Sequence, residues 1–181
     1  LKSEANRSHP ERAKTREGSR RVRFLLLFAL LIVAFEVPLA FEPVDEHLVL
    51  PFTRALTRVS GAALTILRHP VVVAGTTISG GCFAVDIRNG CNGLEATLFL
   101  VAAVLAFPAP WRERAIGAAT GAIAIQALNL IRIVTLYLIG CHRRAWFDTF
   151  HLAVWQTLVF ACAVLLFVAW TRRVTLADAR A

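Results

Sequence analysis

The sequence predicts an all-α polytopic membrane protein, with about four transmembrane helices, one amphipathic helix and a small extracytoplasmic β-hairpin. Three observations carry this. Hydrophobic residues make up 57% and charged residues 18% of the 181-residue chain, whereas a soluble domain averages about 45–50% and about 25%. Four apolar runs approach the roughly 20 residues needed to cross a bilayer. The formal net charge is nevertheless +8, with a pI of about 10.6 and a mean hydropathy of +0.61. High apolarity with high basicity excludes a disordered tail protein, a small secreted disulfide scaffold and a typical nucleic-acid binder. The expected partner of the surface is the lipid bilayer, and no nucleic acid is expected.

Residues 1–23 are polar and carry Lys2, Arg7, Arg12, Lys14, Arg16, Arg20, Arg21 and Arg23. They read as a flexible basic cytoplasmic arm. Residues 24–170 form the membrane-embedded domain, and residues 171–181 a short cytoplasmic tail. The first expected span is Phe24–Phe41, interrupted by Glu36. It reads as a retained span, because its apolar stretch is long and no clean small-x-small cleavage site follows. The second is Gly93–Phe107, short and with Glu95 near its start. The third, Ala115–Ile139, contains Gln126, Asn129 and Arg132. The fourth is Phe150–Trp170.

Between the first two spans, Leu48, Phe52, Leu56, Val59, Ala63 and Ile66 recur at helical spacing, with Arg54 and Arg58 on another face. Each arginine would cost about 2.5–3.5 kcal/mol at the centre of a span. The segment is therefore expected on the membrane surface or against the bundle. Val71–Val73 and Thr76–Ile78 favour strand, Ser79-Gly80-Gly81 reads as a turn, and Phe83, Val85 and Ile87 alternate. That predicts the hairpin. With four spans and the amino terminus inside, thirteen positive residues fall in cytoplasmic parts and six in outer parts. This is a positive-inside bias.

This topology brings three chemically unusual residues to one depth near the outer face. Cys91 stands where the hairpin enters the second span, at a helix N-terminus that favours a thiolate. Gly90, Asn92 and Gly93 around it leave room for a substrate backbone. Arg132 lies about two turns inside the third span, where ionisable groups are rare and usually functional. His151 opens the fourth span and is placed to act as a base. Gln126, Asn129 and Arg132 share one stripe, and Gly117 and Gly121 form a small-x3-small contact. Asp148, one turn before His151, either orients the imidazole or caps the fourth span. Glu95, one turn below Cys91, either neutralises or orients Arg132. The outer Cys82 and Cys141 are free to pair in an oxidising compartment. The cysteines and histidines match no zinc spacing, so no metal and no cofactor are expected.

The blocks Arg88-Asn89-Gly90-Cys91-Asn92-Gly93-Leu94-Glu95-Ala96, Asn129-Leu130-Ile131-Arg132-Ile133 and Phe150-His151 resemble the signature blocks of the exosortase/archaeosortase family, most closely exosortase H. The resemblance covers roughly residues 24–170. It implies a multi-pass cysteine transpeptidase of the bacterial cytoplasmic (inner) membrane, with both termini cytoplasmic and the active site on the extracytoplasmic side. The implied partners are exported proteins with C-terminal sorting signals of motif, membrane helix and basic tail. The implied acceptor is a surface glycan or water. The family's Cys, Arg and His fall on Cys91, Arg132 and His151 as catalytic residues. Asn92, Gly93, Glu95, Asn129 and Asp148 are expected to support them or to position substrate. Two other readings are open to the sequence: a four-helix thiol–disulfide oxidoreductase, and a non-enzymatic transport or assembly subunit.

Overall fold

Apolar, helix-favouring runs separated by glycine- and proline-rich breaks produce seven α-helical segments and one three-stranded sheet in the computed structural model, which describes residues 8–178. Helix α1 spans Ser8–Leu39, and α2, Glu42–Val44, leads through a π turn, Asp45–Val49, into α3, Leu50–Ile66. Strands β1, Val71–Ala74, β2, Thr77–Gly80, and β3, Ala84–Asp86, follow. Helix α4 is Leu94–Ala106 and α5 is Trp111–His142. Finally α6, Phe147–Thr149, passes through a second π turn, Phe150–Val154, into α7, Trp155–Asp178.

Among the described residues, three stretches are long and apolar enough to cross a membrane, namely Gly18–Leu39, Trp111–His142 and Arg144–Leu176. The second expected span, α4, has 13 residues and is only about 20 Å long by helix rise, against a hydrocarbon core of about 30 Å. Gly93 stops it at one end and Pro108 and Pro110 follow its other end. The short helix is tolerated because α4 lies at the centre, packed against α1, α5 and α7. Protein, not lipid, surrounds its backbone ends.

Burial is inverted relative to a soluble protein. Leu25, Leu30 and Val33 of α1, Ile123 and Ile131 of α5 and Leu165 of α7 are exposed, whereas Asn92, Asn129 and Arg132 are buried. The bundle core joins Ala96, Leu100 and Val104 of α4 to Ile125 and Leu136 of α5 and Val159 and Ala163 of α7. The small residues predicted to allow close approach do so, with Gly117 set against the Trp170 indole and Gly121 against Leu100. On α1 the inward face is aromatic, and Phe28 meets Phe99 edge-on at 5.3 Å.

Helix α3 has three faces. Thr53, Thr57, Ser60, Gly61 and Leu64 are buried against the bundle and sheet. Leu48, Val59 and Ile66 from the expected apolar stripe are exposed, as are Arg54 and Arg58. Part of the stripe thus faces outward, while Leu56 packs on the sheet core beside the buried hydroxyl residues. Each hydroxyl satisfies itself on the carbonyl four residues back, as Thr57 does on Thr53 at 2.7 Å, so the face packs without orphaned polar groups. The sequence placed this helix on the membrane surface or against the bundle, and α3 packs against α5 and the sheet.

The expected hairpin is a three-stranded antiparallel sheet in the order β1-β2-β3. The pairing Ala74↔Thr77 leaves Gly75 and Thr76 as a two-residue turn, with Gly75 at φ +63°. Such a turn demands the left-handed region that glycine supplies. Ser79 and Gly80 therefore extend β2 instead of turning, and the turn expected there falls at Gly81–Cys82. A core of Leu64, Ile78, Ile87, Ile133 and Tyr137 seals the sheet onto α3 and α5. A disulfide joins Cys82 to Cys141, with Cα atoms 5.1 Å apart. Gly140 admits the Phe83 ring and Gly80 the Tyr137 hydroxyl. The sheet is thereby fixed over the carboxyl end of α5.

The helical backbone of α1 runs back through residues 8–23, which the sequence reading assigned to a flexible arm. After Pro10 that stretch is dominated by Glu, Arg, Lys and Ala, which favour helix. Residues 1–7 of the arm and Arg180 of the tail lie outside the described residues.

Candidate active site

Cys91, Arg132 and His151 come from three separate elements and line one cavity of about 190 Å³. Cys91 sits in the loop between β3 and α4, Arg132 on α5, and His151 in the π turn that precedes α7. The Cys91 Sγ lies 2.8 Å from His151 Nε2, close enough for a proton to pass between them. The Arg132 Nη2 donates to the same sulfur at 3.9 Å. Arg132 is only 3% exposed, and among the described residues no ion pair joins it to a carboxylate. Its near neighbour is the sulfur, so a thiolate or an oxyanion formed there would be its counter-charge. From Arg132 to the end of α5 is about 15 Å of helix rise, which recesses the site beneath the sheet.

The environment of the nucleophile differs from the sequence expectation in one respect. Cys91 stands three residues before the first turn of α4, beyond the reach of the helix dipole. Burial pushes its thiol above the ordinary cysteine value, Arg132 pulls it down, and Glu95 pushes it up. Of the backbone donors at the loop, the Cys91 N–H bonds the Arg88 carbonyl at 2.9 Å. The Leu94 N–H bonds Asn92 Oδ1 at 3.1 Å. Arg132 is the donor aimed at the sulfur.

The loop carrying Cys91 is held from both sides. Gly93 has φ +73°, and a Cβ there would stand 2.8 Å from Asn129 Cγ. Only glycine meets both conditions. Asn92 is 1% exposed and bonds Thr53 Oγ1 on α3 at 3.1 Å. Asn89 bonds Asp45 Oδ1 in the first π turn at 2.8 Å. The surface helix and its lead-in are thus the clamp on the nucleophile loop. The sequence reading did not find Asp45, Thr53 and Asn89 in this role. The stripe Thr53-Thr57-Ser60-Gly61 was the available signal.

The supporting residues divide accordingly. Asn92 and Gly93 shape the loop and are buried, so the space around Cys91 is not made by Gly93. Asn129 is fully buried against Gly93 and is not among the residues that line the cavity. Glu95 forms no ion pair with Arg132 among the described residues. It lies beside Gly90, with Oε1 3.9 Å from where a Cβ would stand, and shares a separate cleft with Glu36. Asp148 is exposed. No hydrogen bond joins it to His151 among the described residues, and it caps no helix there. The His151 ring instead packs on Phe147 at 5.5 Å. Phe83 and Phe147, absent from the sequence-based site, form the aromatic wall of the cavity.

The family model described as transmembrane exosortase matches residues 18–177. No curated protein and no solved structure matches the chain.

Proposed function

The chain belongs to the transmembrane exosortase family, and from that premise we propose that it is a membrane cysteine transpeptidase that cleaves C-terminal sorting signals of exported proteins. The observation that carries this is the contact of one sulfur with both a histidine at 2.8 Å and a buried arginine at 3.9 Å. As Sγ bonds to the substrate carbonyl carbon, its proton passes to His151 Nε2. The resulting oxyanion faces the Arg132 guanidinium, which is already in place and dry. Collapse breaks the C–N bond, His151 returns the proton to the leaving amine, and the acyl group remains as a thioester on Cys91. A surface glycan or water then attacks, giving its proton to His151 and releasing the thiol. The substrate's own membrane helix, packed in the bilayer beside the bundle, supplies the orientation.

We place the active site on the extracytoplasmic side of the bacterial cytoplasmic membrane. Two features support that orientation. Arg20, Arg23 and Arg114 gather around a cleft at the bundle end opposite the sheet, as cytoplasmic flanks do. The Cys82–Cys141 disulfide lies at the sheet end, which suits an oxidising compartment. The same disulfide leaves Cys91 beside histidine, not beside a second cysteine, which disfavours a thiol–disulfide oxidoreductase.

The test is co-expression with a tagged exported reporter that ends in a motif, a membrane helix and a basic tail. Wild type removes the tail, and Cys91→Ala leaves it intact. Replacing Arg132 or His151 by Ala slows removal by about 10²-fold or more. Unimpaired cleavage by Cys91→Ala overturns the reading.

A further inference from the structure

Strand β3 is the edge of the sheet, and its residues Phe83, Ala84, Val85, Asp86 and Ile87 all line the cavity that holds Cys91 and His151. Side chains of a strand alternate between its two faces. Consecutive residues line one cavity only when the strand presents its backbone edge to it. The hydrogen-bond pattern says which groups that edge offers. The Gly80 N–H bonds the Phe83 carbonyl, and the Ile87 N–H bonds the Thr76 carbonyl, both at 2.9 Å. In an antiparallel ladder bonded and non-bonded pairs alternate, so Val85, opposite Ile78, turns its N–H and C=O toward β2. Ala84 and Asp86, opposite Ser79 and Thr77, turn theirs toward the open edge. Among the described residues no strand pairs with that edge. A free edge is normally a hazard that proteins cover, yet here it borders the nucleophile.

We infer that the sorting motif of the substrate binds as a fourth strand on β3, pairing with the backbone of Ala84 and Asp86 and so laying its scissile carbonyl over Cys91. This rests on the transpeptidase reading and names how that site recognises its substrate. The ligand is an extended polypeptide whose N–H groups are free at alternate positions. Backbone pairing gives affinity independent of side chains, and the cavity selects one side chain. Its walls, Phe83, Leu136 and Phe147, select an apolar one. The Cys82–Cys141 disulfide and the Phe83–Gly140 contact hold β3 at a fixed height over the site, as a docking edge requires.

The experiment uses the full-length enzyme in membranes with a reporter that wild type cleaves and Cys91→Ala does not. Proline is walked through the motif residues next to the scissile bond. Loss of one backbone hydrogen bond should lower cleavage about 3- to 10-fold, at every second position, with the intervening positions tolerant. Ala84→Pro, which removes an N–H that β2 does not use, should lower cleavage by a similar factor. As a second measurement independent of turnover, Ala84→Cys in the Cys91→Ala background is challenged with single cysteines walked through the same motif. Disulfide capture should occur at alternate positions. Proline effects and capture without a two-residue period overturn the inference and leave the transpeptidase reading intact. A reporter cleaved equally by Cys91→Ala overturns the reading itself, and the inference with it.

Discussion

At Cys91 two opposed influences meet, and their balance sets the mechanism. Burial raises the thiol's affinity for its proton and Arg132 lowers it, with burial the larger. On the proposed transpeptidase reading, that direction favours a thiol that passes its proton to His151 on attack over a standing thiolate. Alkylation of detergent-solubilised enzyme by iodoacetamide should accelerate with pH through a midpoint above the usual cysteine value of about 8.5. Arg132→Ala removes the lowering influence, so the midpoint should move higher still. A rate that is already maximal below the ordinary cysteine range would refute the resting-thiol mechanism. Arg132→Lys should restore little, because a lysine ammonium lacks the planar fork and its second donor.

Helix α4 is short because its start is given over to a constrained loop. Gly93 at φ +73° against Asn129, together with Asn92 tied to Thr53, fixes the path that delivers Cys91 to His151. Gly93→Ala adds left-handed strain and a clash with Asn129, so it should lower cleavage by at least tenfold while the protein still inserts. Immunoblotting of membranes separates the two effects. Thr53→Val keeps the shape of the α3 contact but removes the hydroxyl that accepts from Asn92. That leaves a buried amide proton without its partner, at a cost of about 1–3 kcal/mol, and should show as a lowered Tm with reduced kcat. An unchanged Tm and unchanged cleavage would show that α3 does not clamp the loop.

Across the molecule, the sheet and bundle are joined by one covalent link and by interdigitated aromatic and glycine contacts. Replacing Cys82 and Cys141 together by Ala should lower thermal stability, by a typical 2–4 kcal/mol for a disulfide. Cleavage at low temperature should persist, because Leu64, Ile78 and Tyr137 still hold the sheet. Complete loss of activity with the protein still folded would favour the oxidoreductase alternative. Differential scanning fluorimetry and the reporter assay measure the two outcomes side by side.

The membrane class, the long helices and the helical period of α3 were legible in the sequence because they follow from local apolarity, charge and period. Cys91, Arg132 and His151 were legible because charge or nucleophilicity at membrane depth has few structural uses, and the three blocks carry a family resemblance. The roles of Asp45, Thr53 and Asn89 were not, since polar contacts between segments distant in sequence leave no periodic trace. The third strand was hidden by a choice between two glycine-containing turns, which local propensity does not rank. Sequence alone thus determined which residues are chemically costly to place in a membrane. Tertiary structure decided which of them meet, because the 2.8 Å approach of Cys91 to His151 depends on packing among α3, α4, α5 and α7. It also decided the direction in which the thiol's proton affinity shifts, because desolvation is a property of the assembled site and not of any one segment.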